Sequence, residues 1–199
     1  MSYTDYIWDL GGTLLDNYQT SATAFQEVLL EDFGINVAYD AVYDALRVST
    51  EFAVSQFASG LPDFTTIYNK REAKTLTKPV LFPDAERVLA TIVQNGHRNF
   101  MISHRNDQVL EILETAGIAA YFTEVVTSSN GFARKPSPDS IHYLLDKYAP
   151  EQPVMIGDRD IDILAGQNAG IETIYFAPEN QETVKATHHV TQLLDILDL

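Results

Sequence analysis

The sequence predicts an α/β protein, a parallel sheet flanked by helices, with an all-α segment inserted after the first strand. Three observations carry that reading. Short apolar runs the length of buried strands recur at Asp5 to Trp8, Asn99 to Ile102, Glu124 to Thr127, Pro153 to Ile156 and Thr173 to Phe176. Amphipathic helical stripes stand before and between the later runs, and strands that alternate with helices pair in parallel. The stretch from about Asn17 to about Leu81 breaks the alternation, offering helical stripes without a strand.

Taken in order, the first strand delivers the chain to Asp9-Leu10-Gly11-Gly12-Thr13-Leu14-Leu15-Asp16, a carboxylate on a glycine turn at a strand end, where open α/β sheets place function. Gly11 and Gly12 are both read as free to take positive φ, so that the backbone curls and its amides face an anion. In the inserted segment Phe25, Val28 and Leu29 form one stripe and Val42, Ala45 and Leu46 another. Breaks at Phe33-Gly34, Ser59-Gly60-Leu61-Pro62 and Lys78-Pro79 divide it into three or four helices. Its aromatics Tyr43, Phe52, Phe57, Phe64 and Tyr68 read first as a small helical core. Beyond it, Val88, Leu89, Ile92 and Val93, then Val109, Ile112, Leu113 and Ala116, mark two helices closed by Gly96 and Gly117. Another helix is expected with Ser137 as N-cap, Pro138 at its first position and Ile141, Leu144, Leu145 and Tyr148 on its buried face. Trp8 is expected to pack under the sheet, and His188-His189 before Val190 to form an edge strand, since no third ligand lies at metal-binding spacing.

The composition narrows the function classes. The 199 residues, 45% apolar and 21% charged, suit one globular core with a modest insertion. Thirteen basic against twenty-eight acidic residues give a formal charge of -15, which repels nucleic acid and anionic lipid. An anionic substrate would have to be drawn in by local groups or a bound cation. The absence of cysteine excludes disulfides, thiolate catalysis and Cys-ligated zinc or iron-sulfur sites. Met1-Ser2-Tyr3-Thr4-Asp5 lacks the pattern of a secretory signal and no run approaches membrane-spanning length, so a cytoplasmic location is expected, with neither nucleic acid nor membrane as partner.

Four polar segments follow four of the strands. They are Asp9 to Thr13; Ser103, after Asn99-Phe100-Met101-Ile102; Arg134-Lys135-Pro136-Ser137-Pro138; and Gly157-Asp158-Arg159-Asp160-Ile161-Asp162, continuing to Gly170. Three acids within five residues repel one another unless a cation sits among them, and an oxygen-only cluster suits a hard divalent ion such as Mg2+. A helix N-terminus would also stabilise Asp160 and Asp162 without metal. Taken alone, Ser103 before His104-Arg105-Asn106 is ordinary loop and capping chemistry with Asn106 as the cap, and Lys135 is a solvated lysine before a proline turn. In this order, however, the segments resemble the four motifs of the haloacid dehalogenase superfamily, especially its phosphoglycolate phosphatase-like branch with a small helical cap, and the resemblance covers nearly the whole chain.

That resemblance implies a Rossmann-like core of residues 1–16 and 82–199 and a helical cap of residues 17–81, with hinges near Asp16-Asn17 and Lys78 to Phe82. It implies a Mg2+-dependent hydrolase, a phosphatase acting on a small phosphorylated metabolite through an aspartyl-phosphate at Asp9. Asp9, Ser103 and Lys135 would be catalytic, and Gly12, Thr13, Ser103, His104 and Lys135 would hold the phosphate. Asp9, the Gly11 carbonyl and Asp158 would hold the metal; Asp162 would support them by binding the ion, holding its waters or fixing Lys135.

One position departs from the family pattern. The second residue after the nucleophile is ordinarily acidic, protonating the leaving alkoxide and later activating water; here it is Gly11. A general acid or base contributes roughly 10²- to 10⁴-fold, about 3 to 5 kcal/mol of barrier. Three compensations are open. The leaving group could depart unprotonated, as from an acyl or aryl phosphate. Another group could supply the proton: His104, Asp16 or Tyr18, with His104 the best titrating candidate. Or the bond broken could be C-P or C-halogen, as in superfamily members with alanine or an aromatic at this position; the first would need a cap lysine (Lys70, Lys74 or Lys78) to form an imine, and the second needs no metal. A non-catalytic phosphate- or metabolite-binding protein is the alternative of a different class.

Overall fold

The computed structural model describes residues 2–75, 78–178 and 184–199. In chain order the main elements are β1 (Asp5–Trp8), α1 (Asn17–Phe33), α2 (Tyr39–Val48), α3 (Thr50–Phe57), α4 (Phe64–Thr75), α5 (Ala85–Gln94) and β2 (Arg98–Ile102). They continue with α6 (Gln108–Thr115), β3 (Phe122–Val126), α7 (Asp139–Tyr148), β4 (Pro153–Gly157), α8 (Asp160–Asn168), β5 (Glu172–Phe176) and β6 (His188–Val190). The chain divides into two compact units, residues 1–15 with 81–199, and residues 16–80.

The first unit is built on a six-stranded sheet of order β3-β2-β1-β4-β5-β6, with every pair parallel. Side chains alternate across it, so one apolar set serves each face. Tyr6, Trp8, Met101, Val154, Ile156 and Ile174 pack against Val88, Leu89 and Ile92 of α5 and Val109 and Leu113 of α6. Ile7, Phe100, Ile102 and Met155 pack against Ile141 and Leu144 of α7 and Ala165 of α8. Inside the first layer, the Trp8 indole N–H donates to Asn99 Oδ1 at 2.9 Å, and Asn99 Nδ2 donates to the Leu89 and Tyr121 carbonyls. A fully buried asparagine whose groups are all paired ties strand, helix and neighbouring loop at low cost.

Strand order reverses at β1, whose neighbours β2 and β4 lie on opposite sides. Such a switch point leaves a crevice beyond the carboxyl ends of the strands, and the chain arrives there at Asp9 and again at Asp158. Local chemistry shapes both arrivals. The Leu10 carbonyl accepts from the amides of Leu14 and Leu15, closing the first loop, and the positive φ falls on Gly12 (90°) and not on Gly11. Of the two glycines free to take positive φ, only Gly12 uses that freedom, and the φ of Gly11 lies outside the left-handed region that favours glycine. At the other arrival, a Cβ on Gly157 would stand 2.2 Å from Asp162 Cβ, so only glycine lets α8 turn back so closely on its own strand.

Two further expectations shift by a residue. The helix expected to begin at Pro138 begins at Asp139, with Ser137 Oγ accepting the Asp139 amide at 3.4 Å. Asp107, not Asn106, occupies the cap position of α6, although Asn106 Oδ1 accepts from the Gln108 N–H. Both are the ordinary overlap of side-chain turn bonds with helix starts.

The second unit is helical among its described residues. Helix α1 ends where Gly34 enters the left-handed region (φ 68°) and the Gly34 and Ile35 amides return to the Leu30 and Leu29 carbonyls. Its buried face supplies Phe25, Val28 and Leu29, which meet Val42, Ala45 and Leu46 of α2 and Phe64 and Tyr68 of α4. Phe25 sits edge-on to both Phe64 (4.7 Å) and Tyr68 (5.1 Å). Tyr43 and Phe57 are partly buried against this cluster, whereas Phe52 is exposed. Lys70, Lys74 and Lys78 are exposed, which is a poor setting for an imine-forming lysine.

Candidate active site

Every residue singled out in the four motifs belongs to the α/β unit, and the sheet gathers most of them. Asp9 continues β1, its amide bonded to the Ile156 carbonyl of β4. Ser103 continues β2, its amide bonded to the Val126 carbonyl of β3. Lys135 arrives from the loop between β3 and α7, through a cis Lys135–Pro136 bond. Asp158 follows β4, and Asp162 lies in the first turn of α8.

Lys135 is the pivot. Its side chain is 1% exposed, and the ammonium lies between Asp9 Oδ1 and Asp162 Oδ1, the latter at 2.6 Å, with the Ile102 carbonyl at 3.3 Å. Burial alone would lower the lysine pKa, but the two carboxylates outweigh it and hold the group above its ordinary value. Asp9 is pushed the other way. Its removal from solvent raises the carboxyl above the usual aspartate range, Lys135 pulls it down, and the Asp162 charge pushes it up again. The side chain of Asp9 keeps 15% exposure, which leaves one face of the carboxylate open.

Asp162 is committed on both oxygens, one toward Lys135 and the other accepting the Arg159 N–H at 3.2 Å. Asp158 is steadied by the Thr13 hydroxyl, which donates to its Oδ1 at 3.2 Å. Carboxylate oxygens of Asp9, Asp158 and Asp162 lie within 4.8 Å of one another. This fits a hard divalent cation: all donors are oxygen, and three carboxylates outnumber the single ammonium among them.

Ser103 Oγ accepts from the Arg105 amide at 3.2 Å, which leaves the hydroxyl proton to donate outward. His104 is differently engaged. Its Nε2 accepts the Lys135 backbone N–H at 2.8 Å, so the ring is neutral with its proton on Nδ1. Burial, then the Lys135 and Arg134 charges, push its pKa down to about 4. A group so depressed is almost never protonated near neutral pH, which removes the physical basis for His104 as the substitute acid at Gly11.

Two residues that hold this arrangement had no supporting role read from the sequence. Gly157 makes room for Asp162, and Asn168 Nδ2 donates to the Pro136 carbonyl at 2.9 Å from the far end of α8. The glycine before Asp158 was a visible signal; Asn168 offered none.

The haloacid dehalogenase-like hydrolase family matches residues 6–176, most of the chain. The chain belongs to that family. This haloacid dehalogenase-like hydrolase is 28% identical over 182 residues to a phosphoglycolate phosphatase from Vibrio cholerae, covering 82% of this chain and 79% of that one. A hydrolase from Streptococcus pneumoniae TIGR4 of known crystal structure is 51% identical, with a TM-score of 0.85 and both chains covered in full. YfnB from Bacillus subtilis, solved bound to magnesium, shares the fold at 18% identity, with a TM-score of 0.74 over 100% of this chain and 98% of that one. The protein is thus a phosphatase-like hydrolase of this family, and among its described residues no helix is long and apolar enough to cross a membrane.

Proposed function

We propose that the protein is a Mg2+-dependent phosphatase for a small phosphorylated metabolite with a good leaving group, working through an aspartyl-phosphate at Asp9. The observation that carries the reading is the buried Lys135 ammonium held between Asp9 and Asp162, with Asp158 within reach of the same carboxylates. A phosphate dianion approaching an aspartate needs that negative charge offset, and Lys135 offsets part of it without moving.

Asp9 attacks phosphorus with its open carboxylate oxygen, a P–O bond to Asp9 forms, and the bond to the leaving group breaks with its electron pair. Water then attacks the same phosphorus, freeing phosphate and restoring Asp9. Ser103 donates its hydroxyl proton to a phosphoryl oxygen, and Gly12 and Thr13 line the first loop beside it. Asp9, Asp158 and the Gly11 carbonyl would hold Mg2+, with Asp162 and Thr13 fixing their neighbours. When bound, the ion screens the repulsion between carboxylate and phosphate and stabilises charge on the equatorial oxygens.

Gly11 sets the substrate class. With no acid at this position the leaving group departs unprotonated, which favours acyl and aryl phosphates over alkyl esters, and water attacks without a base. The reading is tested by phosphate release from acetyl phosphate, p-nitrophenyl phosphate and alkyl phosphates, with and without Mg2+. Turnover of the first two that needs Mg2+ is expected, together with acceleration of the alkyl esters by Gly11→Asp, at a position whose φ is not left-handed. Phosphate binding without release from any substrate would favour the non-catalytic binder that Gly11 also permits.

A further inference from the structure

We propose that His104 is a positioning residue for Lys135, its Nε2 taking up the Lys135 backbone N–H and so setting the loop that delivers the ammonium to Asp9. The inference rests on the reading of Lys135 as the cation that faces phosphate. Residues 134–138 carry no regular structure, yet their lysine must reach the crevice with its side chain buried. Besides the contacts of its ammonium with Asp9 and Asp162, three hydrogen bonds tie this segment to the frame. His104, one residue beyond Ser103, accepts the Lys135 amide; Asn168 on α8 donates to the Pro136 carbonyl; and the ammonium itself reaches the Ile102 carbonyl at the end of β2.

Of these, the His104 bond acts on the lysine's own backbone and couples it to the adjacent Ser103. The charged groups acting on the ring are Lys135, Arg134 and Arg159, which disfavour a second proton, and Asp162, which favours one. Three cations against one carboxylate, together with partial burial, hold the imidazole neutral and its Nε2 bare. A protonated ring would present N–H to N–H and release the loop. Histidine is thus used here for an acceptor at a set reach and not for proton transfer.

The test separates reach from titration. His104→Phe keeps the ring volume and removes the acceptor; His104→Gln places an amide oxygen close to where Nε2 stands and cannot act as an acid. With acetyl phosphate and Mg2+, His104→Phe is expected to lower turnover about ten- to a hundred-fold, the cost of an unpaired buried N–H and a displaced charge. His104→Gln is expected to return to within about three-fold of the parent, with an unchanged pH profile. Equal impairment of the two variants, or full turnover by His104→Phe, overturns the proposal. Should His104→Phe fail to fold, nitrogen NMR of the parent protein decides: a bare Nε2 and a ring neutral at pH 6 are expected, and an Nε2–H tautomer or protonation at the ordinary histidine value overturns it. Absence of turnover from every phosphate would sink the phosphatase reading alone, since the NMR result still tests the bond to Lys135.

Discussion

In the helical unit the largest fully buried side chains are Phe25, Phe64 and Tyr68, and only Asp16 and Ser21 are buried among its described polar residues. The α/β unit instead closes over Asp5, Asn99, Lys135, Asp162 and several hydroxyls. The charged contacts at the two ends of that sheet differ again. The buried Asp5 pairs at 2.6 Å with Arg98, whose side chain is 37% exposed, where β1 and β2 begin, two opposite charges that cancel. Lys135 sits where the strands end, among more carboxylates than it can neutralise. Burying charge costs several kcal/mol per ion and is a poor way to stabilise a fold. An excess of carboxylates around a buried ammonium at the switch point of the sheet is therefore the arrangement the proposed chemistry needs, whereas the balanced pair at the opposite end joins two strands.

This contrast is broken most directly by exchanging charge for neutrality at Asp9. Asp9→Asn keeps an acceptor for Lys135 but loses the nucleophile, so turnover should fall by about 10³-fold or more. Because burial already disfavours the Asp9 charge, the melting temperature should hold or rise. A variant that is both inactive and strongly destabilised would place Asp9 with Asp5 as architecture. The converse is Phe25→Ala in the helical unit. Truncating an aromatic with edge contacts to Phe64 and Tyr68 should cost about 3 to 5 kcal/mol in urea unfolding of that unit. A loss under about 1 kcal/mol would mean this core is looser than its packing implies.

Between these lies Gly157→Ala, where the new methyl would stand 2.2 Å from Asp162 Cβ. Overpacking of this kind costs about 1 to 3 kcal/mol. Because Asp162 holds Lys135, turnover should fall as well, and an unimpaired variant would break the link from Gly157 to the site. The smallest effect concerns pH. With His104 near 4 when folded and 6.5 when unfolded, the unfolded chain takes up the proton first as pH falls, so stability is lost from about pH 6.5 down to about pH 4. Asp9, raised by burial, works in the opposite sense. His104→Gln should therefore lose less stability than the parent between pH 7 and 5, by about 1 kcal/mol once partial exposure of the ring is allowed for. Equal slopes would mean His104 titrates normally.

Five strands were legible as short apolar runs, the edge strand at His188-His189-Val190 by its place before an apolar residue, and the helices by their periodicity, and Gly34, Gly96 and Gly117 end helices by conformations that glycine allows most easily. The motif residues were legible because reactive side chains in this sheet follow strands directly. Helix starts near Pro138 and Asn106 were misplaced by a residue, since neighbouring side chains compete to cap them. The role of His104 was illegible: nothing in Ser103-His104-Arg105 foretells a bond to an amide 31 positions away. Gly11 looked like a turn residue for the same reason, because φ depends on the closed loop around it and not on the glycine alone.

The central claim, that Asp9 is a nucleophile toward phosphorus with no acid or base at position 11, has a direct measurement. Acetyl phosphate labelled with radioactive phosphorus is mixed with the Mg2+-loaded protein and quenched in acid within the first turnovers. Departure of acetate needs no proton whereas water attack lacks its base, so label should accumulate on the chain, map to Asp9, be released by hydroxylamine and disappear in Asp9→Asn. Phosphate released with no label on the chain beyond that of Asp9→Asn, or label mapping to another residue, would contradict the account.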